Sequence, residues 1–165
     1  MGKTIVVYGS STGTCEAIAE KIAEKVGAKA INVTDLDTAV LAENDNLLIG
    51  TSTWGAGELQ DDWYDGVDLL KGADLAGKVV AVYGCGDSAS YSDTFCSAMK
   101  ELYDAAKAGG ATLVGEVGTE GYTFDDSDAV VDNKFVGLAL DDINEDDQTD
   151  SRIDAWLGQI KDSLK

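Results

Sequence analysis

The sequence has no histidine and no proline, only 12 lysines and arginines against 31 aspartates and glutamates, and three cysteines in 165 residues. Each shortage removes a class of function. Without histidine, Ser-His-Asp and Cys-His catalysis and every histidine-ligated metal site are excluded. A formal charge of −19 argues against nucleic acid and anionic membranes, because both require a basic surface that displaces counterions or meets lipid headgroups. Protein partners are therefore expected to be basic. The same acidity would also serve solubility or salt tolerance, and charge alone does not separate those roles from steering toward a docking partner. Cys15, Cys85 and Cys96 form no Cys-x-x-Cys pair, and their odd number fits a disulfide framework poorly, so a reducing, cytoplasmic setting is expected. No long apolar run is present, and neither a signal peptide nor a membrane span is expected. With proline missing, turns fall to the 19 glycines together with Asp, Asn and Ser. The length suits one domain over residues 1–165, and the acidic surface favours a monomer.

Short apolar runs recur at Ile5 to Tyr8, Ala30 to Val33, Leu47 to Thr51, Val79 to Tyr83 and Thr112 to Val117, with helical periodicity between most of them. After the first run, Ile18, Ile22 and Val26 share one helical face while Glu16, Glu20, Glu24 and Lys25 fall toward water. Further helices are predicted near Trp63 to Leu70, Thr94 to Ala108 and Ser151 to Leu164. Strands alternating with helices of this length predict an α/β fold, a doubly wound parallel sheet with helices on both faces and right-handed crossovers. The span 118–135 has no clear period and reads as an insertion that interrupts or follows the last strand, with a short apolar piece, Val136 to Leu140, behind it. Asp141 to Asp150 reads as a solvated acidic loop.

In such sheets ligands bind outside the carboxyl ends of the strands, where strand order reverses. The segments there are rich in small, hydroxyl-bearing and aromatic residues. After the first strand comes Gly9-Ser10-Ser11-Thr12-Gly13-Thr14-Cys15, leading into a helix whose first amides lack intrahelical partners and carry the positive end of the peptide dipoles. A phosphate fits there. No Lys or Arg lies between Thr4 and Glu20, so backbone N–H groups and the hydroxyls of Ser10, Ser11, Thr12 and Thr14 would have to hold it. Both the P-loop, which needs Gly-Lys-Ser/Thr, and Gly-x-Gly-x-x-Gly are missing. An ordinary capped turn is the plainer alternative. After the third strand, Ser52-Thr53-Trp54-Gly55-Ala56-Gly57 sets a tryptophan among small residues with little local core to fill. Behind the fourth, Gly84-Cys85-Gly86-Asp87-Ser88-Ala89-Ser90-Tyr91 offers a second aromatic. One phosphate seat and a slot between two rings describe a flat heterocycle with a single terminal phosphate, the shape of flavin mononucleotide (FMN). A core tryptophan and a surface tyrosine are the plainer readings of Trp54 and Tyr91.

The three loops together resemble the flavodoxins, specifically the long-chain type, over essentially the whole chain. The motifs that carry the resemblance are Ser10 to Thr14, Ser52-Thr53-Trp54 with Gly57 to Trp63, and Gly84-x-Gly86-Asp87 with Tyr91-Ser92-Asp93-x-Phe95. Gly121-Tyr122-x-Phe124, Phe135 to Asp141 and Arg152-Ile153-x-x-Trp156 match the insertion and last helix. The resemblance implies a five-stranded parallel sheet, noncovalent FMN and one-electron transfer between redox proteins at low potential, mainly between semiquinone and anionic hydroquinone. It implies that Ser10, Ser11, Thr12, Gly13, Thr14 and Cys15 hold phosphate, that Thr53 and Trp54 line the ribityl chain and inner ring face, and that Ser52 beside them belongs to the cofactor site. Tyr91 would stack on the outer face, and Asp87 with the backbone near Gly86 and Cys96 would meet the polar edge. Cys85 and Phe95 complete the implied site, with a small buried residue as the favoured reading of Cys85 over a ligand. The carbonyl of Gly55, beside Ala56 and Gly57, would turn over on reduction, a movement glycine tolerates. Where such loops usually end in threonine this chain has Cys15, a weaker donor.

An FMN-dependent NAD(P)H:quinone reductase is the nearest rival, but neither flavin loop supplies a basic residue for a nicotinamide donor's phosphates. A receiver-like signalling module would need an acidic pair where this chain has Tyr8-Gly9-Ser10.

Overall fold

The apolar runs become strands covered from both sides. In the computed structural model, which describes residues 3–9, 13–54, 58–59, 61–141 and 144–164, the chain forms β1 (Thr4–Gly9), α1 (Thr14–Val26), β2 (Lys29–Asn32), α2 (Thr38–Glu43), β3 (Asn46–Trp54), β4 (Glu58–Leu59), α3 (Trp63–Gly72), β5 (Val79–Cys85) and α4 (Met99–Ala108). There follow β6 (Thr112–Val114), β7 (Val117–Gly118), β8 (Val130–Val131), β9 (Lys134–Phe135), β10 (Leu138–Leu140) and α5 (Asp146–Ile160). Strands β2, β1, β3 and β5 lie side by side and parallel. The far side of β5 is shared: β6 pairs with Val79 to Ala81 and β10 with Tyr83 to Cys85, both parallel. One edge position is therefore filled by two pieces of chain, giving the five-strand order expected of a doubly wound sheet. β4 is a short antiparallel addition to the end of β3.

Alternate residues feed two cores. Ile5, Val7, Leu47, Ile49, Val80 and Val82 pack against α3 and α4 through Trp63, Leu70, Met99 and Leu102. Val6, Leu48, Ala81 and Tyr83 pack against α1 and α5 through Ile18, Ile22, Ile153, Trp156 and Ile160. This period-two division makes three layers, helix on sheet on helix. Polar ends inside the layers find partners, as burial demands. The Trp63 indole N–H donates to Gly50 O at 2.6 Å, the Tyr83 hydroxyl to Val7 O at 3.0 Å, and the Trp156 indole N–H to Gly115 O at 3.0 Å.

Several element boundaries differ from the sequence expectation. The last strand stops at Val114 because the chain turns out at Gly115, φ +90°. Residues 115–137 then build a small antiparallel sheet in the order β7, β9, β8 before β10 returns to the main sheet. Helix α4 starts at Met99 rather than Thr94, since Ser92–Thr94 form a 3₁₀ turn and Cys96 sits at φ +53°. Helix α5 begins at Asp146 rather than Ser151; Asp146 and Asp147 in its first turn face the positive end of the helix dipole. The short α2 carries no strong periodicity, and its start is fixed by Asp37 Oδ1 accepting from Val40 N at 2.9 Å. Among the described residues no helix is long and apolar enough to cross a membrane.

Candidate functional site

Because β1, β3 and β5 are neighbours in register, their carboxyl ends finish together. Gly9 is level with Thr51, Thr51 with Gly84, and Ser52 with Cys85. The segments after these strands are thereby brought to one edge of the sheet. Their described parts are Gly9 with 13–15, 52–54 and 85–91, which nothing in the chain order alone makes adjacent.

At the first segment the described structure resumes at Gly13; Ser10, Ser11 and Thr12 lie outside the described residues. Gly13 is the N-cap of α1 at φ 90°, ψ −10°, a left-handed conformation that glycine adopts without steric cost, and no side chain caps this end among the described residues. Thr14 is half-buried. The Cys15 side chain turns inward, buried in the core beside Ile18, Leu48 and Tyr83. Its thiol thus serves packing, and only its backbone remains to serve a ligand. Near the same helix end, the Tyr8 hydroxyl donates to Glu16 Oε1 at 3.1 Å; burial first, then the Glu16 carboxylate, holds the phenol above its ordinary pKa.

At the second segment the Ser52 hydroxyl is buried and has no hydrogen-bond partner among the described residues. A buried hydroxyl without a partner costs about 1–3 kcal/mol. Thr51 is fully buried and its hydroxyl donates to Ser52 O at 2.9 Å. The backbones of Thr53 and Trp54 pair antiparallel with Leu59 and Glu58. Gly55, Ala56 and Gly57 lie outside the described residues, as do the side chains of Thr53 and Trp54.

At the third segment Cys85 is buried at the end of β5, and Gly86 N donates to Leu140 O at 2.9 Å. A Cβ on Gly86 would stand 2.9 Å from Cys96 N and 3.0 Å from Cys96 Sγ, so the close approach of these two backbones requires glycine. Burial pushes the Cys96 thiol well above its ordinary pKa, and Sγ lies 3.8 Å from Gly84 O and 3.7 Å from Leu140 O. Asp87 organises the turn that follows: its Oδ1 accepts from Ala89 N at 3.1 Å, Ser90 N at 3.0 Å and Asn144 Nδ2 at 2.7 Å. Burial pushes this carboxyl upward, but the donors from Asn144, Ser90 and Ala89 outweigh it and hold its pKa below the usual range. Tyr91 N donates to Asp87 O at 2.9 Å, and the Tyr91 side chain is 45% exposed.

Phe95 packs beneath the third segment, where its ring edge would stand 3.0 Å from a Cβ on Gly86. Its ring is buried against Tyr122, Phe124 and Phe135 at centroid distances of 6.1, 5.7 and 5.9 Å, so its side chain belongs to the packing between α4 and residues 115–137. Asp141 and Asn144 are absent from the sequence reading of the site, yet they bond directly to its third segment, at Ser88 and Asp87. Asn144 lies 57 positions from Asp87 inside a stretch that reads as acidic surface, and no local pattern marks it. A cleft of about 780 Å³ lined by Lys3, Lys29, Glu43 and Lys161 opens at the opposite end of the sheet, among the amino ends of β1 and β2.

The flavodoxin family model matches residues 6–156. The chain is 42% identical over 171 residues to Flavodoxin 1 of Azotobacter vinelandii, covering 99% of this chain and 98% of the relative. The chain belongs to the flavodoxin family. It is also 40% identical over 165 residues to the flavodoxin of Helicobacter pylori, with 99% of each covered. Among solved structures, Fusobacterium nucleatum flavodoxin bound to flavin mononucleotide superposes with a TM-score of 0.93 at 30% identity, covering all of both chains. The overall arrangement of strands and helices described above is thus shared with that flavodoxin.

Proposed function

We propose that this flavodoxin binds FMN noncovalently at the carboxyl edge of β1, β3 and β5 and carries electrons singly between redox proteins. The observation that supports it best is the Ser52 hydroxyl at the centre of that edge, buried and without a hydrogen-bond partner among the described residues. The α1 N-terminus, which no side chain caps among the described residues, lies after the neighbouring β1, and an exposed tyrosine follows β5 on the other side. The residues present fit the cofactor. Backbone amides from Gly13 to Cys15 and the hydroxyls of Ser10, Ser11, Thr12 and Thr14 would hold its phosphate, with no cation required. Ser52 and Thr53 would serve the ribityl chain, and Trp54 and Tyr91 the two ring faces. Asp87, Gly86 and the backbone at Cys96 would face the polar edge. FMN supplies the one-electron chemistry; the protein supplies position, exclusion of water and a negative field.

The carrier reading fits a chain whose relatives are flavodoxins and whose acidic surface suits transient docking to basic faces of reductases and oxidoreductases. A cytoplasmic monomer is part of the same proposal. The deciding experiment is titration of the flavin-free protein with FMN and with riboflavin, followed by anaerobic redox titration of the complex. FMN is expected to bind far more tightly than riboflavin and to take up electrons in two separable steps. Equal affinity for both flavins would remove the phosphate seat and the proposal with it.

A further inference from the structure

The turn that carries Tyr91 is fastened to the start of α5 by two carboxylates and one amide. Asp141 leaves β10 fully buried. Its Oδ2 accepts from Ser88 N at 3.1 Å and from the Ser88 hydroxyl, and its Oδ1 accepts from Asn144 N at 3.0 Å. Asn144 Nδ2 donates to Asp141 Oδ1 at 3.2 Å and Oδ2 at 3.1 Å, and to Asp87 Oδ1 at 2.7 Å. One side-chain amide therefore bridges two anions on different strand ends. Those anions hold the turn between them, since Asp141 grips Ser88 while Asp87 accepts from the amides of Ala89 and Ser90 and, through its carbonyl, from Tyr91 N.

An amide with two N–H donors suits this place and a carboxylate would not. Two carboxylates at neighbouring strand ends repel, and a buried one needs donors to remain charged. Tyr91 is too exposed to be fixed by packing of its own ring, so its placement depends on the backbone beneath it. The chain after Tyr91 is held separately, by Asp125 N and Asp126 N donating to Ser92 O at 2.9 and 3.0 Å. The bridge governs the flank before the tyrosine.

We infer that Asn144 is a positioning residue for the flavin site: by bridging Asp87 and Asp141 it fixes residues 86–91 and so sets where Tyr91 stands against the ring. This rests on the FMN reading above. Without the bond from Asn144 to a charged group the turn loosens, and re-ordering it on flavin binding would cost up to about tenfold in affinity.

The test compares wild type, Asn144→Ala, Asp87→Ala and the double variant. Flavin fluorescence titration of the flavin-free chain gives FMN and riboflavin affinities, and amide hydrogen exchange on the same flavin-free chain reads the turn. Asn144→Ala is expected to weaken FMN and riboflavin by the same factor, up to about tenfold, because the bridge acts on the ring side and not on the phosphate. Exchange at Ala89, Ser90 and Tyr91 should quicken. Adding Asn144→Ala to Asp87→Ala should cost little more than Asp87→Ala alone, since the shared contact is already gone. Unchanged affinity with unchanged exchange would overturn the inference, as would a loss confined to FMN that spares riboflavin. If the wild type binds no FMN, the functional reading fails, and the exchange comparison alone decides whether Asn144 holds the turn.

Discussion

Gly13 holds a conformation that an L-residue enters at a cost of about 1–2 kcal/mol, while a Cβ there would meet nothing within 4 Å among the described residues. The obstacle to substitution is therefore the backbone and not the space. Gly13→Ala is expected to lower the stability of the flavin-free chain by that amount in urea denaturation. Relaxing the strain rotates the first amides of α1 away from a phosphate, so FMN affinity should fall while riboflavin affinity holds. A matched fall for both flavins would mean that this turn does not touch phosphate. Asp87 allows a second prediction at this scale. Its carboxyl has a folded pKa below the unfolded value, so its contribution is present above the ordinary carboxylate pKa and is lost as pH falls through the folded one. The stability difference between wild type and Asp87→Asn should shrink as pH drops below about 4 in acid denaturation series, and by a small amount, because the group is only partly buried and solvent screens it.

Among the elements, residues 115–137 are joined to the rest by side chains that a sequence pattern does not pair. The Tyr122 hydroxyl donates to Ala139 O at 2.8 Å, and the Arg152 guanidinium lies 4.0 Å from the Tyr122 ring centroid while donating to Gly121 O at 3.1 Å and Glu145 Oε1 at 3.1 Å. Burial, opposed by Arg152, pushes the Tyr122 phenol up to about 12. A folded pKa above the unfolded one gives stability that is complete below about pH 10 and is lost as pH rises toward 12, on the order of 2–3 kcal/mol over that window. Tyr122→Phe should flatten this alkaline limb and lower stability at neutral pH by about 1 kcal/mol for the lost bond; an unchanged limb would place the titration elsewhere. Elements of this kind also mark what the sequence could and could not reveal. β1, β3 and β5 were legible because strands buried on both faces are continuous apolar runs. Val117 looked like more of the last strand because apolarity continues past Gly115, whereas the backbone there turns out of the sheet. Asp146 and Asp147 looked like solvated loop because acids favour water, though they also favour the first turn of a helix. The strand-end loops were legible from their small residues, while Asn144 was not, because a bridge between two carboxylates exists only once β5 and β10 are neighbours.

For the whole molecule the excess of carboxylates sets a field that no single residue accounts for. Four ion pairs are formed among the described residues, engaging Lys21, Lys25, Lys100 and Arg152, which leaves most of the 31 acids without a cation. A like charge about 10 Å from the flavin costs roughly 1.7 kcal/mol at an effective dielectric near 20, or roughly 70 mV on a one-electron step. The step that leaves net negative charge on the flavin should therefore lie at markedly lower potential than the step that does not. Salt separates this field from the effects of burial, because the Debye length shrinks from about 10 Å at 0.1 M to about 3 Å at 1 M while a buried contact is screened far less. Raising the salt over that range in an anaerobic titration should move the second midpoint upward by tens of millivolts, on the order of one such charge. The first should move less. If both midpoints ignore salt, the low potential arises from aromatic faces and excluded water, and the acidic surface is left with docking as its role.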